Sequence, residues 1–504
     1  RTKMNKNAMK LISMLLVLLM LFTCLAACKK NEATDADSET QAGDVAGGTA
    51  AQGDASDSLE NGPETDEQGY VKDTLPETYD WEGVDFNILQ WQLGHDFVVG
   101  AEASTSAINR VKFQSQKAVE ERFKVKLKVH EVSDGWGQTE ITSALEASVA
   151  VGSGTYDMVS NYSDSAGKSI TNKLCMDLNS LPYVDFEKPW WPQHLLASAT
   201  IGEKMYYCGG DINGENLIRY MCATYINLDM YEEYHIEELV DGRTIYEVVE
   251  DGDWTIETFQ TMALGTTGND ADIYGLTWRD GEYWDAFLYS GGFSMIKTEN
   301  GVLTLNDDLQ SDRMVTWVAE CQKLLTQTHP DTKQDAGVAF KEGRSLFGGD
   351  EHLTYAEELS SEGTVNFSVL PMPKYDSDQE HYYTCEGVTS SLITVPADVK
   401  NTEMVGMIVE GIASQNHRVV KDVVYYDIFQ TRYAAAEDTA GGRMFEILYN
   451  SVVFDVGRVF THNWGNSFIF RHVVGDSTQS WTTTYQENFE QWIKGINDLY
   501  VALG

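Results

Sequence analysis

The sequence predicts an α/β protein built as two lobes, on three observations. The part with globular composition runs from about Trp81 to Gly504, over 400 residues, which is more than one hydrophobic core usually serves. Strand and helix patterns alternate from Phe86 to Tyr162. A second alternation starts near Tyr225, after a stretch with no clear period.

In the first region, FNILQW (86–91) is a short apolar run with the length of a buried strand. Ile108, Val111, Ala118, Val119 and Phe123 then recur at near-helical spacing. Val125, Leu127 and Val129 alternate with lysines in VKLKV, the period of a half-buried strand. Gln138 to Ala150 reads as a helix closed by the glycines of VGSG, and TYDMVSNY as a third strand. This strand–helix succession is a βαβ pattern and predicts a largely parallel sheet. Such sheets bind ligands at the carboxyl ends of their strands. Two loops there are WQLGHD (91–96) and NYSDSAG (161–167). The second region offers the strand IYGLTW (273–278), a helix from Asp312 to Thr326, AFKEGRSLFGGD (339–350), NFSVLPMPKYD (366–376) and the strand SSLITVP (390–396). The remainder reads as mostly helical.

Residues 1–27 have the three parts of a secretory signal: Lys3, Lys6 and Lys10, an apolar run from Leu11 to Phe22, then small residues. The run is short for a membrane span of roughly 20 residues. It ends in Leu25-Ala26-Ala27-Cys28, which resembles a bacterial lipobox. That resemblance implies cleavage before Cys28, lipid on Cys28, and anchoring at the extracellular face of the cytoplasmic membrane. Residues 28–75 follow as the lipidated Cys and an acidic linker, with Tyr70 the only aromatic after Asn31. Too polar to fold alone, the linker is expected to be a disordered tether.

The chain has 36 basic and 78 acidic residues. Losing residues 1–27 removes four of the basic ones and leaves a net charge of about −46. Nucleic-acid binding depends on Lys and Arg neutralising phosphates, so this balance excludes it. Beyond Cys28 the five cysteines Cys175, Cys208, Cys222, Cys321 and Cys385 leave at least one thiol unpaired, which excludes a disulfide scaffold. Pairing of Cys208 with Cys222 stays open.

An ordered series of short motifs carries a resemblance. GSGTYDMV (152–159), LCMDLNSLPYVDFEKPWW (174–191), GEKMYYCGGDI (202–212) and YINLDMYE (225–232) come first. DGDWTIETF (251–259), LYSGGF (288–293), AFKEGRSLF (339–347), SVLPMPKYD (368–376) and ITVPADVKNTEMVGMIVEGIAS (393–414) follow. In this order the chain resembles the extracellular solute-binding proteins, family 1 type, that feed carbohydrate ABC importers. The resemblance covers Trp81 to Gly504. It implies a two-lobed periplasmic-binding-protein-like fold of type II, with a hinge and an interlobe cleft. The implied lobes are 76–223 with 372–414, and 224–371 with 415–504. The implied partners are a small carbohydrate ligand and the importer's permease subunits, with no cofactor and no metal. The expected form is a monomer.

Sugars have apolar faces edged by hydroxyls, so their sites need flat aromatic side chains beside directional polar ones. The chain has 12 Trp and 25 Tyr. Trp91 and Gln92 follow the first predicted strand. By the resemblance, Asn161, Tyr162 and Asp164 lie at the cleft lip, and Trp278, Arg279, Glu282, Tyr283 and Trp284 supply aromatic and polar contacts. Asp350 and Glu351, beside His352, occupy a position where many relatives carry an aromatic residue. Asp211 in GGDI and Trp464 in HNWGN complete the candidate set. The competing reading for any Trp is burial in a core, and for Asp164 a cap on the following helix. Trp190, Trp191, Trp317, Trp481 and Trp492 are expected to be packing residues.

No specific catalytic constellation appears. HExxH and GxSxG are absent. SAGKS (165–169) lacks the first glycine of a P-loop, since Tyr162 stands there, and NDAD (269–272) lacks the glycine and closing Glu of a calcium loop. The reading is therefore a non-catalytic binding protein. Its alternatives are a peptide or polyamine cargo, a surface adhesin, and a glycosidase using two carboxylates.

Overall fold

The computed structural model describes residues 64–504 except 101–103, 105, 133–138, 269–271, 279–280, 329–335, 351, 388–389, 425–438, 465–467 and 504. The proposed lipidation site Cys28, the signal segment and most of the linker lie outside the described residues, as do Arg279, Glu351 and most of NDAD.

The first lobe begins with strand β1 (Asp85–Trp91), helix α1 (Ala107–Phe123), β2 (Lys126–Val132), α2 (Glu140–Val151), β3 (Met158–Tyr162) and α3 (Ser163–Thr171). Each element starts or stops for a local reason. The Ser106 side chain caps α1 by accepting from the Asn109 N–H, and Gly152 closes α2 at φ +59°, where a glycine costs no strain. Phe86, Ile88, Leu89, Gln90 and Trp91 of β1 are buried, as a central strand requires. β2 alternates exposed and half-buried positions because it is an edge strand.

The chain crosses to a second sheet made by β4 (Ala223–Asn227), β5 (Tyr274–Trp278), β6 (Ser345–Asp350) and β7 (Phe367–Leu370). Helices α4 (Glu282–Ser290), α5 (Asp312–Thr328) and α6 (Thr354–Glu362) connect or cover it. It then returns to add β8 (Ser391–Thr394) to the first sheet. The strand orders are β8-β3-β1-β2 and β7-β4-β6-β5. β1 is parallel to β2 and β3, and β6 is parallel to β5. β8 runs antiparallel to β3, and β4 antiparallel to both β6 and β7.

The outgoing and returning segments lie side by side. The Cys222 N–H donates to the Cys385 carbonyl at 2.9 Å, and the Gly387 N–H to the Tyr220 carbonyl at 2.8 Å. This antiparallel pair ties the outgoing segment to the returning one between the two sheets. Helix α7 runs unbroken over Thr402–Asp422 and packs on α1. Val405, Ile408 and Ile412 are buried on one face of that helix, while Val420 near its end joins the cluster of Tyr225, Phe340 and Leu359 beside the second sheet. Next come α8 (Thr439–Asn450), α9 (Val456–Val459), α10 (Thr461–Trp464), α11 (Ile469–Val474) and α12 (Trp481–Leu503). This C-terminal arm straddles the lobes: α9 and α10 pack on α3, while α11 packs on α4 and α5.

Asp73 and Leu75, within the stretch that composition assigns to the linker, are held by the body. Asp73 bonds both terminal nitrogens of Arg122, at 2.8 and 2.7 Å, and accepts from Ser414 Oγ at 2.7 Å, while Leu75 is buried. Paired charges and one apolar anchor order a segment whose own composition could not. All five cysteines in the described residues are buried and free, which settles the Cys208–Cys222 question. No helix among the described residues is long and apolar enough to cross a membrane.

One contact between arm and lobe has a testable consequence. A β-carbon added at Gly167 in α3 would stand 2.0 Å from the Val459 carbonyl oxygen. In an isolated helix Gly→Ala would stabilise by about 1 kcal/mol. Here Gly167→Ala is expected to lower the melting temperature, because neither backbone can yield without separating α3 from α9. An unchanged or raised midpoint in a thermal melt would contradict that packing.

Candidate functional site

The strand registers align two sheet edges. Trp91, Val132, Tyr162 and Ser391 end or begin their strands together in the first lobe. Trp278, Asp350, Ala223 and Leu370 do so in the second. Each edge adjoins the hinge, since Ala223 follows Cys222 and Ser391 closely follows Gly387. The carboxyl ends of both parallel sets thus meet across the crossing, where α/β sheets hold ligands.

Of the candidates on the first edge, Gln92 is exposed and Tyr162 half-buried. Trp91 is buried, its ring edge-on to Tyr162 at 5.1 Å, within a cluster that includes Leu89, Ile141 and Val159. Asn161 is fully buried inside β3. Asp164 stands in the first turn of α3, where Tyr162 holds the cap position without a side-chain bond. It pairs with Lys168 at 2.7 Å and His462 at 3.5 Å. Burial would raise its carboxyl pKa, but bonds from His462 and Lys168 outweigh that and hold it below the usual range.

On the second edge, Trp278 is half-buried at the end of β5 and meets Trp284 edge-on at 5.2 Å. Trp284 itself is 3% exposed and stacks on Phe287 at 4.8 Å. Tyr283 is fully buried, its hydroxyl 2.8 Å from Thr224 Oγ1, and burial pushes its pKa up. Both belong to the second lobe's aromatic core, through the helical phase of α4. Glu282 opens that helix and Asp350 closes β6.

Two candidates lie apart from these edges. Asp211 bonds His417 Nδ1 of α7 at 2.6 Å. Trp464 is 1% exposed, donates from its indole to the Gly457 carbonyl at 2.7 Å, and packs against Trp492. Trp190, Trp191, Trp317, Trp481 and Trp492 are buried, as expected of packing residues.

The geometry adds residues that the sequence reading missed. A pocket of about 40 Å³ lies where the returning segment meets the first lobe and the arm. Ser163 and Tyr207 line it from the first lobe, Glu386 and Ser390 from the returning segment, and Asp455 and Arg458 from the arm. Arg458 is buried, 3.9 Å from Asp285 and 3.0 Å from Cys385 Sγ. Asp455 accepts from Tyr289 Oη at 3.0 Å and from the Gly457 N–H at 2.7 Å. Burial raises its carboxyl pKa despite these bonds. Glu386 is 7% exposed. Nothing in YTCEG or FDVGR marks these residues, except that Glu386 lies four positions before the SSLITVP stretch. Beside the pocket, Tyr220 of the outgoing segment meets His352 of the second lobe edge-on at 4.8 Å and donates to the Leu93 carbonyl of the first. Arg219 and Glu357 pair across the lobes at 3.2 Å.

These features define the class: a two-lobed α/β fold of the solute-binding-protein kind, its two sheets joined by crossing segments. No family model matches the chain, and no curated protein matches it in sequence. Among solved structures, it is similar to the cyclic α-maltosyl-1,6-maltose binding protein of Arthrobacter globiformis, with a TM-score of 0.56 at 12% identity, covering 83% of this chain and 99% of that one. It is also similar to the GacH receptor of Streptomyces glaucescens, solved unliganded and with acarbose, at TM-score 0.52 and 14% identity over 82% and 99%. A third is the galacto-N-biose/lacto-N-biose I-binding protein of an ABC transporter from Bifidobacterium longum, at TM-score 0.51 and 13% identity over 84% and 99%. The fold is the one that the motif series implies.

Proposed function

We propose that this protein captures a carbohydrate between its lobes and hands it to an ABC importer, without catalysing a reaction, while lipid on Cys28 holds it to the membrane. The observation that carries the reading is the hinge pocket. Glu386 lies in a crossing segment, flanked by Arg458 and Asp455 from the arm and Tyr207 from the first lobe. The pocket's volume of about 40 Å³ admits a hydroxyl group, not a whole ring, so a sugar seated above it would place a hydroxyl between the Glu386 carboxylate and the Arg458 guanidinium. Ligand bound there touches the first lobe, the arm and the segment whose bending sets the angle between the lobes, so binding biases that angle. Tyr162 and Trp278, half-buried on facing edges, are the aromatic surfaces for the ring faces, with Gln92 and Asp164 beside Tyr162. Carbohydrate ligands in the names of the similar structures lean the same way.

The test is a thermal-shift screen of residues 64–504 against neutral sugars, peptides and polyamines, with product analysis in the same wells. A ligand at a hundred times its dissociation constant adds about 2.7 kcal/mol, or roughly 5–10 °C at about 2–4 °C per kcal/mol. A shift with sugars alone, without product, is the expected result. Glu386→Gln should then weaken binding about tenfold or more, the usual cost of a charge-assisted hydrogen bond. A shift with polyamines or peptides would change the cargo, and sugar cleavage would end the non-catalytic reading.

A further inference from the structure

The two crossing segments oppose a pair of thiols. The Cys222 N–H donates to the Cys385 carbonyl, the Gly387 N–H donates to the Tyr220 carbonyl, and Met221 is bridged antiparallel to Glu386. That register sets Cys222 of the outgoing segment directly opposite Cys385 of the returning one, 163 residues further along the chain. Directly opposite residues in an antiparallel pair point to the same face, with Cα atoms about 4.5–5.5 Å apart. A disulfide spans about 4.4–6.8 Å between Cα atoms. Both residues are thiols in this structure, and both are buried in one cluster with Tyr283 and Tyr289 of α4.

Among the described residues no other cysteine faces a second one in register. Cys208 is bridged to Ile393 of β8 and Cys175 to Pro396, while Cys321 is buried within α5. Cys385 has a further neighbour, since Arg458 Nη1 donates to its sulfur at 3.0 Å. This puts positive charge beside an atom that is negative when a thiol attacks a disulfide. The compartment fits as well. Residues 1–28 read as an export signal, and disulfides form and persist outside the cell.

We propose that Cys222 and Cys385 are a redox-active pair, oxidised by a low-molecular-weight disulfide of the cell exterior to a bridge that staples the outgoing segment to the returning one. The inference rests on the export reading and not on the identity of the cargo. Both sulfurs are buried, so the exchange runs when the outgoing segment parts from the returning one, which leaves Cys385 beside Arg458. The Cys385 thiolate attacks the small disulfide RSSR, forming Cys385–S–S–R and releasing RS⁻, which takes up the proton that Cys385 lost. The Cys222 thiolate then attacks the Cys385 sulfur and expels the second RS⁻, which takes up the proton from Cys222. Two protein thiols are oxidised to one disulfide, and one RSSR is reduced to two RSH.

The test holds reduced residues 64–504 in mixtures of oxidised and reduced glutathione, then alkylates the protein and maps it by mass spectrometry. The expected product is lighter by two hydrogens and joins the peptides of Cys222 and Cys385, while Cys175, Cys208 and Cys321 alkylate as thiols after unfolding. A bridge that closes so long a loop restricts the unfolded chain, so the melting temperature should exceed that of the reduced form by roughly 5–10 °C. Dithiothreitol should reverse both changes. Cys222→Ala should prevent the bridge and leave glutathione on Cys385; the wild-type map decides even where that variant does not fold. Alkylation of all five thiols in wild type, after refolding in the most oxidising mixture, would overturn the pair. So would a bridge from Cys222 or Cys385 to one of the other three cysteines.

Discussion

Trp284→Ala is expected to destabilise the protein by about 3–5 kcal/mol, the usual cost of emptying a buried aromatic site. The residue is 3% exposed, stacked on Phe287 and edge-on to both Trp278 and Tyr283. Removing it leaves a cavity among rings that cannot collapse inward, because Phe287 is itself fixed against Phe259 and Trp317. At about 2–4 °C per kcal/mol the melting temperature should fall by roughly 10 °C. Trp278→Ala removes a half-buried ring at the sheet edge and should cost less stability and more ligand affinity. Calorimetric melts of both variants, with affinities for the best sugar of the screen, separate the two roles. If Trp284→Ala kept the wild-type midpoint and lost binding, Trp284 would belong to the ligand surface after all. This expectation differs from the one the residue's type and motif suggest, which is loss of affinity in an intact fold.

Stability should also depend on pH in a direction set by two buried acids. Burial raises the Asp96 carboxyl to about 7, against bonds from Ser160 and Asn213 and the nearby Lys112 charge. Burial likewise raises Glu410 to about 7, against bonds that include the Trp191 indole. Between about pH 4 and about pH 7 the folded state therefore binds protons that the unfolded chain has released, so stability falls as pH rises through that window. Each group contributes on the order of 3–4 kcal/mol at 1.36 kcal/mol per unit. Asp73 and Asp164, held low by their partners, act the other way, and their contribution is lost as pH falls below about 4. The melting temperature is expected to peak near about pH 5. Asp96→Asn should flatten the decline above the peak and make the protein more stable than wild type at about pH 8. A variant with the wild-type slope would show that Asp96 is ionised within the fold across the whole range.

The hinge makes a related point about how charge is used. Asp285 binds Arg471 and approaches Arg458, which reaches Cys385 in the returning segment. Second lobe, arm and hinge are therefore joined by one buried ionic group. Buried pairs of this kind cost desolvation and are weak sources of stability, yet removing one partner is expensive because the other is left uncompensated. An arrangement of that sort fixes the arm's position relative to the cleft more than it strengthens the fold.

How much of this was legible beforehand follows from the range of the interactions involved. The strands FNILQW, YGLTW and SSLIT, the helix closed by Gly152 and the packing role of Trp190, Trp317 and Trp492 follow from periodicity, turn chemistry and side-chain size, which act over a few residues. The two-lobed fold followed from the order of motifs along the chain. The edge position of Tyr162 followed from its place after a strand. What decided the rest is distant pairing. Asp73 orders the end of the linker only because Arg122 and Ser414 come to meet it. Trp284 turns inward because Phe287, one turn on, faces the same core. Glu386 and Arg458 are 72 residues apart in the chain and share a pocket only once the returning segment and the arm have packed. Local sequence determined the elements and the strand ends where ligand chemistry could sit. The tertiary structure alone decided which aromatic rings stay accessible and which charges converge, because burial and convergence are properties of surfaces brought together, and no short stretch of chain contains both sides.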